Sequence, residues 1–117
     1  MTLVAQRLTA KGSTEEFARL SGDYNPLHMD AVAARRTTFG ETVHHGVHVL
    51  MTALDHVFGK VAGCIELQDI SASFHAPLPT SAQFEVEIRK ESEERLEFIL
   101  VHDLQKIQTV KLTYSEI

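Results

Sequence analysis

The segment SGDYNPLHMD, residues 21–30, brings an aspartate, an asparagine and a histidine close together around a proline. Asp23 offers an ionised carboxylate, and His28 offers an imidazole that titrates near neutral pH. Pro26 lacks an N–H and keeps Asn25 out of the helical region, so both acid–base groups are expected on a turn. A bend there would bring Asp23 and His28 into one small volume, where the pair could transfer protons at two points of one substrate.

Each of these residues also has an ordinary interpretation. A single histidine is more often a satisfied surface residue than a catalytic one, and turns favour aspartate. Tyr24 is expected to pack or to form a pocket wall. Asp30 is expected to cap a helix rather than to catalyse.

A second polar group, HHGVHVL at residues 44–50, lies where a long helix is predicted to begin. In the first turn of a helix the backbone N–H groups have no intrahelical partner and carry the positive end of the dipole. Gly46 would let a ligand approach those groups closely. The segment therefore predicts an oxyanion donor, and acid–base chemistry beside a polarised carbonyl.

The histidines of this region also raise the question of a metal ion. His44 and His48 are four residues apart, on one face of a helix, and His28 could approach them. A zinc site usually adds a carboxylate or cysteine ligand in a recognisable motif, and none accompanies these histidines. We therefore predict no metal, and we expect His48 to line the substrate pocket.

Two short helices are predicted around the first polar segment. Ser13 opens one of them with a capping-box pattern, and Phe17 and Leu20 are expected to face inward. Asp30 is expected to be the N-cap of the other, over residues 30–36.

A long helix and a sheet are predicted from two different periodicities. The helix runs from about residue 45 to residue 60, and its apolar residues recur at helical spacing. They are Val47, Leu50, Met51, Leu54, Val57 and Phe58. Beyond residue 63 the period becomes two, which predicts strands over 65–75, 82–90, 95–103 and 107–115. Short turns join these strands, so we expect an antiparallel meander, with one further strand over residues 2–9. A curved sheet around the helix would bury this surface in an α+β layout.

A longer pattern joins the two polar segments. FARLSGDYNPLHMD at 17–30 is followed by two alanines at 33–34 and by FGETVHHG at 39–46. These segments resemble the signature of the MaoC-like hydratase/dehydratase family, F-A-x-L-S-x-D-x-N-P-x-H-x-D and then F-x-x-x-V-x-H-G. The chain fits the signature without a gap from Phe17 to Gly46, and the later strands agree in order. The resemblance implies the (R)-specific enoyl-CoA hydratase group and its hot-dog fold, a curved antiparallel β-sheet wrapped around a long central α-helix.

The resemblance also implies roles for single residues. Asp23 and His28 match the family's catalytic pair, and Asn25 matches a residue that braces the loop. Gly46 matches the position whose N–H binds the thioester carbonyl, and His45 before it is expected to be structural. The implied reaction is the reversible hydration of trans-2-enoyl thioesters to (R)-3-hydroxyacyl thioesters, a step of fatty acid metabolism that needs no metal or organic cofactor.

The resemblance further implies partners. The substrate would be an acyl-CoA or acyl-carrier-protein thioester. A homodimer is expected because an isolated sheet of this kind leaves an unpaired edge strand. Arg35 and Arg36 either contact the phosphates of such a carrier or form a solvated helix end.

Two other functions remain open at this point. A hot-dog thioesterase commonly places an acid on the central helix, where Asp55 is available, but Asp23 and His28 would then be unexplained. The short chain also allows a non-catalytic acyl-thioester-binding subunit, although a complete catalytic signature argues against it.

Composition and charge exclude several classes of protein. The 117 residues suit one domain over 1–117, and the formal net charge of −5 disfavours nucleic acid as a partner. No apolar run reaches the ~18 residues of a membrane helix. The N-terminus has no signal-peptide pattern and Cys64, the one cysteine, cannot form an internal disulfide. Both observations favour a cytoplasmic protein, with Cys64 buried and inert.

Overall fold

The computed structural model describes residues 7–10, 13–37, 40–59 and 65–116 of the chain. Four helices and five strands follow one another there, which confirms the predicted α+β class. In chain order they are β1 (Arg7–Leu8), α1 (Thr14–Ser21), α2 (Pro26–Met29), α3 (Ala31–Ala34), α4 (Gly46–Phe58), β2 (Ile65–Phe74), β3 (Phe84–Glu91), β4 (Arg95–His102) and β5 (Gln105–Glu116). Of the strand predicted over 2–9, Arg7–Leu8 is present. Residues 2–6, residue 60 of the long helix and Cys64 lie outside the described residues.

The strands form one antiparallel sheet in the order β1-β3-β4-β5-β2. The predicted meander is confirmed for β3, β4 and β5, but it is wrong for β2, which pairs with β5. The segment between Phe74 and Phe84 contains Pro77 and Pro79, which cannot donate the N–H groups of a tight hairpin. It instead carries the chain from one side of the sheet to the other, and on the way Pro79 pairs with Val43.

The core lies between α4 and one face of the sheet. The helix contributes Val49, Leu50, Ala53 and Val57, and the fully buried strand residues include Phe84, Leu96, Phe98, Leu100 and Val110. Two residues of the predicted apolar stripe, Val47 and Met51, are instead 50% and 49% exposed. The helix is apolar on most of its surface, so periodicity predicts its existence but does not fix its rotation about its axis.

The first helix is confirmed at its start and corrected on its inward face. The Ser13 hydroxyl accepts a hydrogen bond from the backbone N–H of Glu16, and the Glu16 carboxylate accepts one from the N–H of Ser13, as a capping box requires. Ala18 is fully buried and Phe17 is partly buried, but Leu20 is 77% exposed. The prediction that Leu20 faces inward was therefore wrong, because a short helix buries only a narrow stripe.

Within the described ranges, none of the helices combines the length and the apolar character that crossing a membrane requires.

Candidate active site

Two local hydrogen bonds shape the loop that carries the first polar residues. The Asp23 Oδ1 atom accepts from the N–H of Asn25 at 3.1 Å, and the Asn25 Oδ1 atom accepts from the N–H of Leu27 at 3.0 Å. Asn25 is thereby the N-cap of α2, with Pro26 in the first helical turn. His28 lies on this one-turn helix and not on an irregular turn as predicted, because the first turn of a helix accepts a proline.

The predictions for Asp30 and Tyr24, in the same segment, have different outcomes. The Asp30 carboxylate accepts from the N–H groups of Val32 and Ala33, so Asp30 is the N-cap of α3, as predicted. Tyr24 is 56% exposed and lies apart from the cavity described below. Its predicted part in binding substrate stays a prediction.

His28 is held in one orientation and one tautomer. Its Nδ1 atom lies 2.7 Å from the carbonyl oxygen of Val43, which can only accept, so Nδ1 carries the hydrogen. The lone pair of the neutral ring is therefore on Nε2. That atom lies 3.8 Å from the Asp23 Oδ2 atom, with the His28 side chain 13% exposed and that of Asp23 51% exposed. The separation is too long for a direct hydrogen bond, and it is short enough for one water to contact both atoms.

His45 contacts both members of this pair. Its ring stacks on that of His28, with centroids 4.0 Å apart and planes inclined by 25°. Its Nε2–H donates to the backbone carbonyl of Asp23 at 2.9 Å. The sequence predicted only a structural histidine here, and the spacing of the residues gives no sign of these contacts.

The same three side chains are the group that could best hold a metal among the described residues. Ligand atoms of Asp23, His28 and His45 all lie within 4.8 Å of one another. However, the Nε2 atom of His45 carries the hydrogen that it donates to a carbonyl, so its lone pair is on Nδ1. Two ligand atoms then remain, whereas a catalytic zinc usually has three from the protein. The donor set fits proton transfer better than metal binding.

Gly46 begins α4 beside this cluster. A Cβ atom at this position would lie 3.0 Å from two ring carbons of Phe74, so the ring packs closely against the glycine. The carbonyl of Gly46 accepts a hydrogen bond of 3.0 Å from the Nε2 atom of Gln108, on β5. The start of the helix is thus attached to the sheet on one side and to a phenylalanine ring on the other.

A cavity of about 470 Å³ adjoins Gly46 and His28. Its other walls are mainly apolar, and they include Leu27, Val43, Val49, Phe74, Ala76, Pro77 and Leu78. Gln108 is a polar residue of this lining that sequence reasoning missed. It is 2% exposed, and its Oε1 atom has no hydrogen-bond partner within the described part of the chain. The signal was present, because Gln108 shares the alternation of Val110 and Leu112 on the buried face of β5.

The other two histidines of residues 44–50 line different cavities, although their rings meet edge-on with centroids 5.5 Å apart. His44 lines the cavity beside His28. Burial lowers the pKa of His44 below its usual 6.5, the neighbouring His48 lowers this pKa further, and a hydrogen bond to the backbone of Thr80 acts against both. His48 lines a separate cleft between α1 and α4, where its ring stacks on Phe17, and its predicted part in binding substrate stays a prediction.

Comparison with known proteins identifies the family. The model of the MaoC like domain family matches residues 2–111. Comparison with the curated proteins gives no match.

Solved structures share the fold. The (R)-hydratase from A. caviae involved in PHA biosynthesis is 23% identical, with a TM-score of 0.77 over 97% of this chain and 92% of that one. The R-hydratase PhaJ1 from Pseudomonas aeruginosa is 20% identical, with a TM-score of 0.72 over 97% and 79%. The ChsH1-ChsH2 complex from Mycobacterium tuberculosis is 12% identical, with a TM-score of 0.75 over 98% and 94%. The predicted hot-dog fold is confirmed.

Proposed function

Because this chain belongs to the MaoC-like domain family, we propose that it is a hydratase that adds water reversibly to trans-2-enoyl thioesters and forms (R)-3-hydroxyacyl thioesters. One observation carries the proposal. The Asp23 Oδ2 atom and the Nε2 lone pair of His28 converge at 3.8 Å, close to the start of α4. Two acceptors at this distance can share one water, which is the nucleophile of the reaction.

The first step forms the carbon–oxygen bond. The shared water attacks Cβ of the enoyl thioester, and its proton passes to the Nε2 atom of His28. Asp23 accepts the second O–H of the water and stabilises the imidazolium that forms. The electron pair of the double bond moves through Cα onto the thioester oxygen.

The second step completes the addition. The backbone N–H of Gly46 would hold the oxyanion, since the first-turn N–H groups of a helix carry its positive end. The imidazolium of His28 then returns its proton to Cα, so that one water has been added and His28 is neutral again. Dehydration runs through the same steps in reverse.

The cavity beside Gly46 supports a thioester substrate. Its apolar walls suit an acyl chain, and it adjoins both the oxyanion position and His28. Asn25 braces the loop through its cap of α2. We propose CoA or an acyl carrier protein as the carrier, and fatty acid metabolism in the cytoplasm as the setting.

A homodimer belongs to the same proposal. Strand β2 ends the sheet, and in the described residues it pairs with β5 alone. Leu67, Ile70 and Phe74 on this strand are each more than 40% exposed. A ten-residue edge strand that exposes three large apolar side chains invites pairing with a second copy, which sedimentation or size-exclusion measurements would detect.

The test follows the absorbance of the conjugated enoyl thioester after crotonyl-CoA is added, while free thiol is measured in the same samples. We expect the absorbance to fall without thiol release in the wild type, and to persist with Asp23→Asn and His28→Ala. Thiol release would contradict the proposal and favour a thioesterase. Tight binding of enoyl thioesters of several lengths, on CoA and on carrier protein, without any turnover would favour a non-catalytic binding subunit.

A further inference from the structure

His45 contacts both of the proposed catalytic residues, yet the proposed chemistry gives it no part. It is 3% exposed, and it directly precedes Gly46. It is the N-cap residue of α4, but its side chain makes no capping hydrogen bond. Within the described residues the ring bonds through its Nε2 atom and not through Nδ1, so it does not stabilise the helix start.

One contact of His45 fixes the backbone at Asp23. The Nε2–H of His45 donates to the Asp23 carbonyl at 2.9 Å, which joins an exposed loop to a buried ring. The Asp23 Oδ1 atom is separately held by the N–H of Asn25. With the main chain and one carboxylate oxygen both fixed, Oδ2 is left 3.8 Å from the His28 Nε2 atom and 4.0 Å from the His45 Nε2 atom.

The other contact supports the ring of His28. The hydrogen bond to Val43 fixes His28 in the plane of its ring, and the stacked ring of His45 limits movement out of that plane. His45 is itself supported by Phe17, whose ring centroid lies 4.8 Å away at a tilt of 54°. The buried ring of His45, supported by the partly buried Phe17, therefore holds one face of the catalytic imidazole.

We propose that His45 is a positioning residue, which sets the separation of Asp23 and His28 through its Nε2–H on one side and its ring face on the other. The inference rests on the proposed function, because it assumes that this pair handles the water. His45 does not line the substrate cavity. Its loss should accordingly lower kcat and leave KM nearly unchanged, since misplacing a reacting group by about 1 Å can cost roughly 100-fold in rate.

Three substitutions separate the two contacts. His45→Phe keeps a ring for stacking and removes the N–H donor, whereas His45→Gln keeps an N–H donor and removes the ring. His45→Ala removes both. We expect kcat for crotonyl-CoA to fall about 100-fold with alanine, and by a smaller factor of about tenfold with each of the other two. If all three variants fold and keep the wild-type kcat, the proposal is overturned.

His102→Gln is the matched control. The ring of His102 also bonds a backbone carbonyl, that of Gln83 at 2.8 Å, but at the far end of β4 and apart from the cavity. We expect its kcat and KM to equal those of the wild type. An equal loss of kcat in this variant would mean that removing any such bond disturbs the enzyme, and it would overturn a specific role for His45.

A second measurement does not depend on hydratase activity. The ring-proton resonances of His28 in an NMR spectrum feel the ring current of the aromatic group stacked on it. We expect these resonances to shift in His45→Gln and His45→Ala, and to remain closer to wild type in His45→Phe. If the His28 resonances shift in these variants but the wild-type protein has no hydratase activity, the positioning role is kept and the proposed function is rejected. Unchanged His28 resonances in all variants would overturn the positioning role itself.

Discussion

The two sides of the α4 start are built differently. On one side Asp23, His28 and His45 are polar, and hydrogen bonds of 2.7 to 3.1 Å orient each of them. On the other side the cavity has mainly apolar walls, and the ring of Phe74 packs against Gly46. The first arrangement is suited to fixed proton-transfer geometry, and the second to holding a chain through shape. Changes on the polar side should therefore lower kcat, and changes on the cavity side should raise KM.

The largest effect is expected on the polar side, from Asp23→Asn. The amide cannot stabilise an imidazolium, so we expect kcat to fall about 1,000-fold, within the range of general acid–base catalysis. KM and the unfolding temperature should change little, because the side chain is 51% exposed. Steady-state kinetics with crotonyl-CoA and thermal denaturation would check this.

Asp30→Asn is the matched control for that substitution. Asp30 lies on the same segment and caps α3, and asparagine caps a helix equally well. It should retain the wild-type kcat. A value of kcat for Asp23→Asn above a tenth of wild type would contradict the assignment of the polar side.

The next effect is expected at the boundary of the two sides, from Gly46→Ala. The added methyl would lie 3.0 Å from the Phe74 ring, which is 54% exposed and so has room to move. We expect KM to rise about tenfold as the ring shifts, while the free energy of unfolding changes by less than about 1 kcal/mol, since alanine favours the helix.

Phe74→Leu combined with Gly46→Ala sharpens this test. The smaller side chain should relieve the contact and recover part of the lost affinity, with Phe74→Leu alone as the reference. If the double variant binds no better than Gly46→Ala, the ring is not the cause, and the methyl acts on the backbone N–H instead.

A smaller effect is expected on the cavity side, from Gln108→Leu. The change removes the hydrogen bond to the Gly46 carbonyl together with an Oε1 atom that has no partner among the described residues. Loss of the hydrogen bond destabilises the fold, whereas loss of the unpaired oxygen stabilises it. Chemical denaturation should therefore show a change in the free energy of unfolding of less than about 1 kcal/mol. We expect KM to rise about threefold to tenfold, which is up to about 1.4 kcal/mol of binding free energy. A collapse of kcat at constant KM would break the division between the two sides.

The smallest effect is expected from His44→Leu, and it concerns stability and not turnover. The pKa of His44 is lowered in the folded state, so the unfolded chain binds the proton first as the pH falls below about 6.5. Its contribution to stability is therefore present above pH 6.5 and is lost as the pH falls toward the folded-state pKa. We expect the leucine variant to lose less stability than wild type between pH 7 and pH 5, by about 1.4 kcal/mol for each unit by which the pKa is lowered. Equal slopes in urea denaturation would contradict this.

Much of the polar side could be predicted from the sequence, because local interactions shape it. The Ser13 and Asp30 caps and the position of Gly46 at a helix start follow from short-range chemistry. The details that escaped prediction are contacts between elements. The stacking of His45 on His28 joins positions 17 residues apart through tertiary packing, and no spacing rule encodes it.

Less of the cavity side could be predicted, because contacts between distant elements form it. Gln108 and Gly46 are 62 positions apart in the sequence. Phe74 contacts Gly46 because β2 pairs with β5 at the edge of the sheet. The pairing of β2 with β5, and the rotation of α4 about its own axis, depend on the global arrangement of the sheet. Alternation and helical periodicity predict that such elements exist, but they do not determine which neighbours they meet.

The most direct test of the central claim, that Asp23 and His28 act as one unit on one water, is a double-mutant cycle. The kcat for crotonyl-CoA hydration is measured for Asp23→Asn, His28→Ala and the variant with both changes. Groups that act as a unit lose little more together than singly, so we predict that the double variant lies within about threefold of the weaker single variant. Losses that multiply would mean that the two side chains act independently, and they would contradict the account.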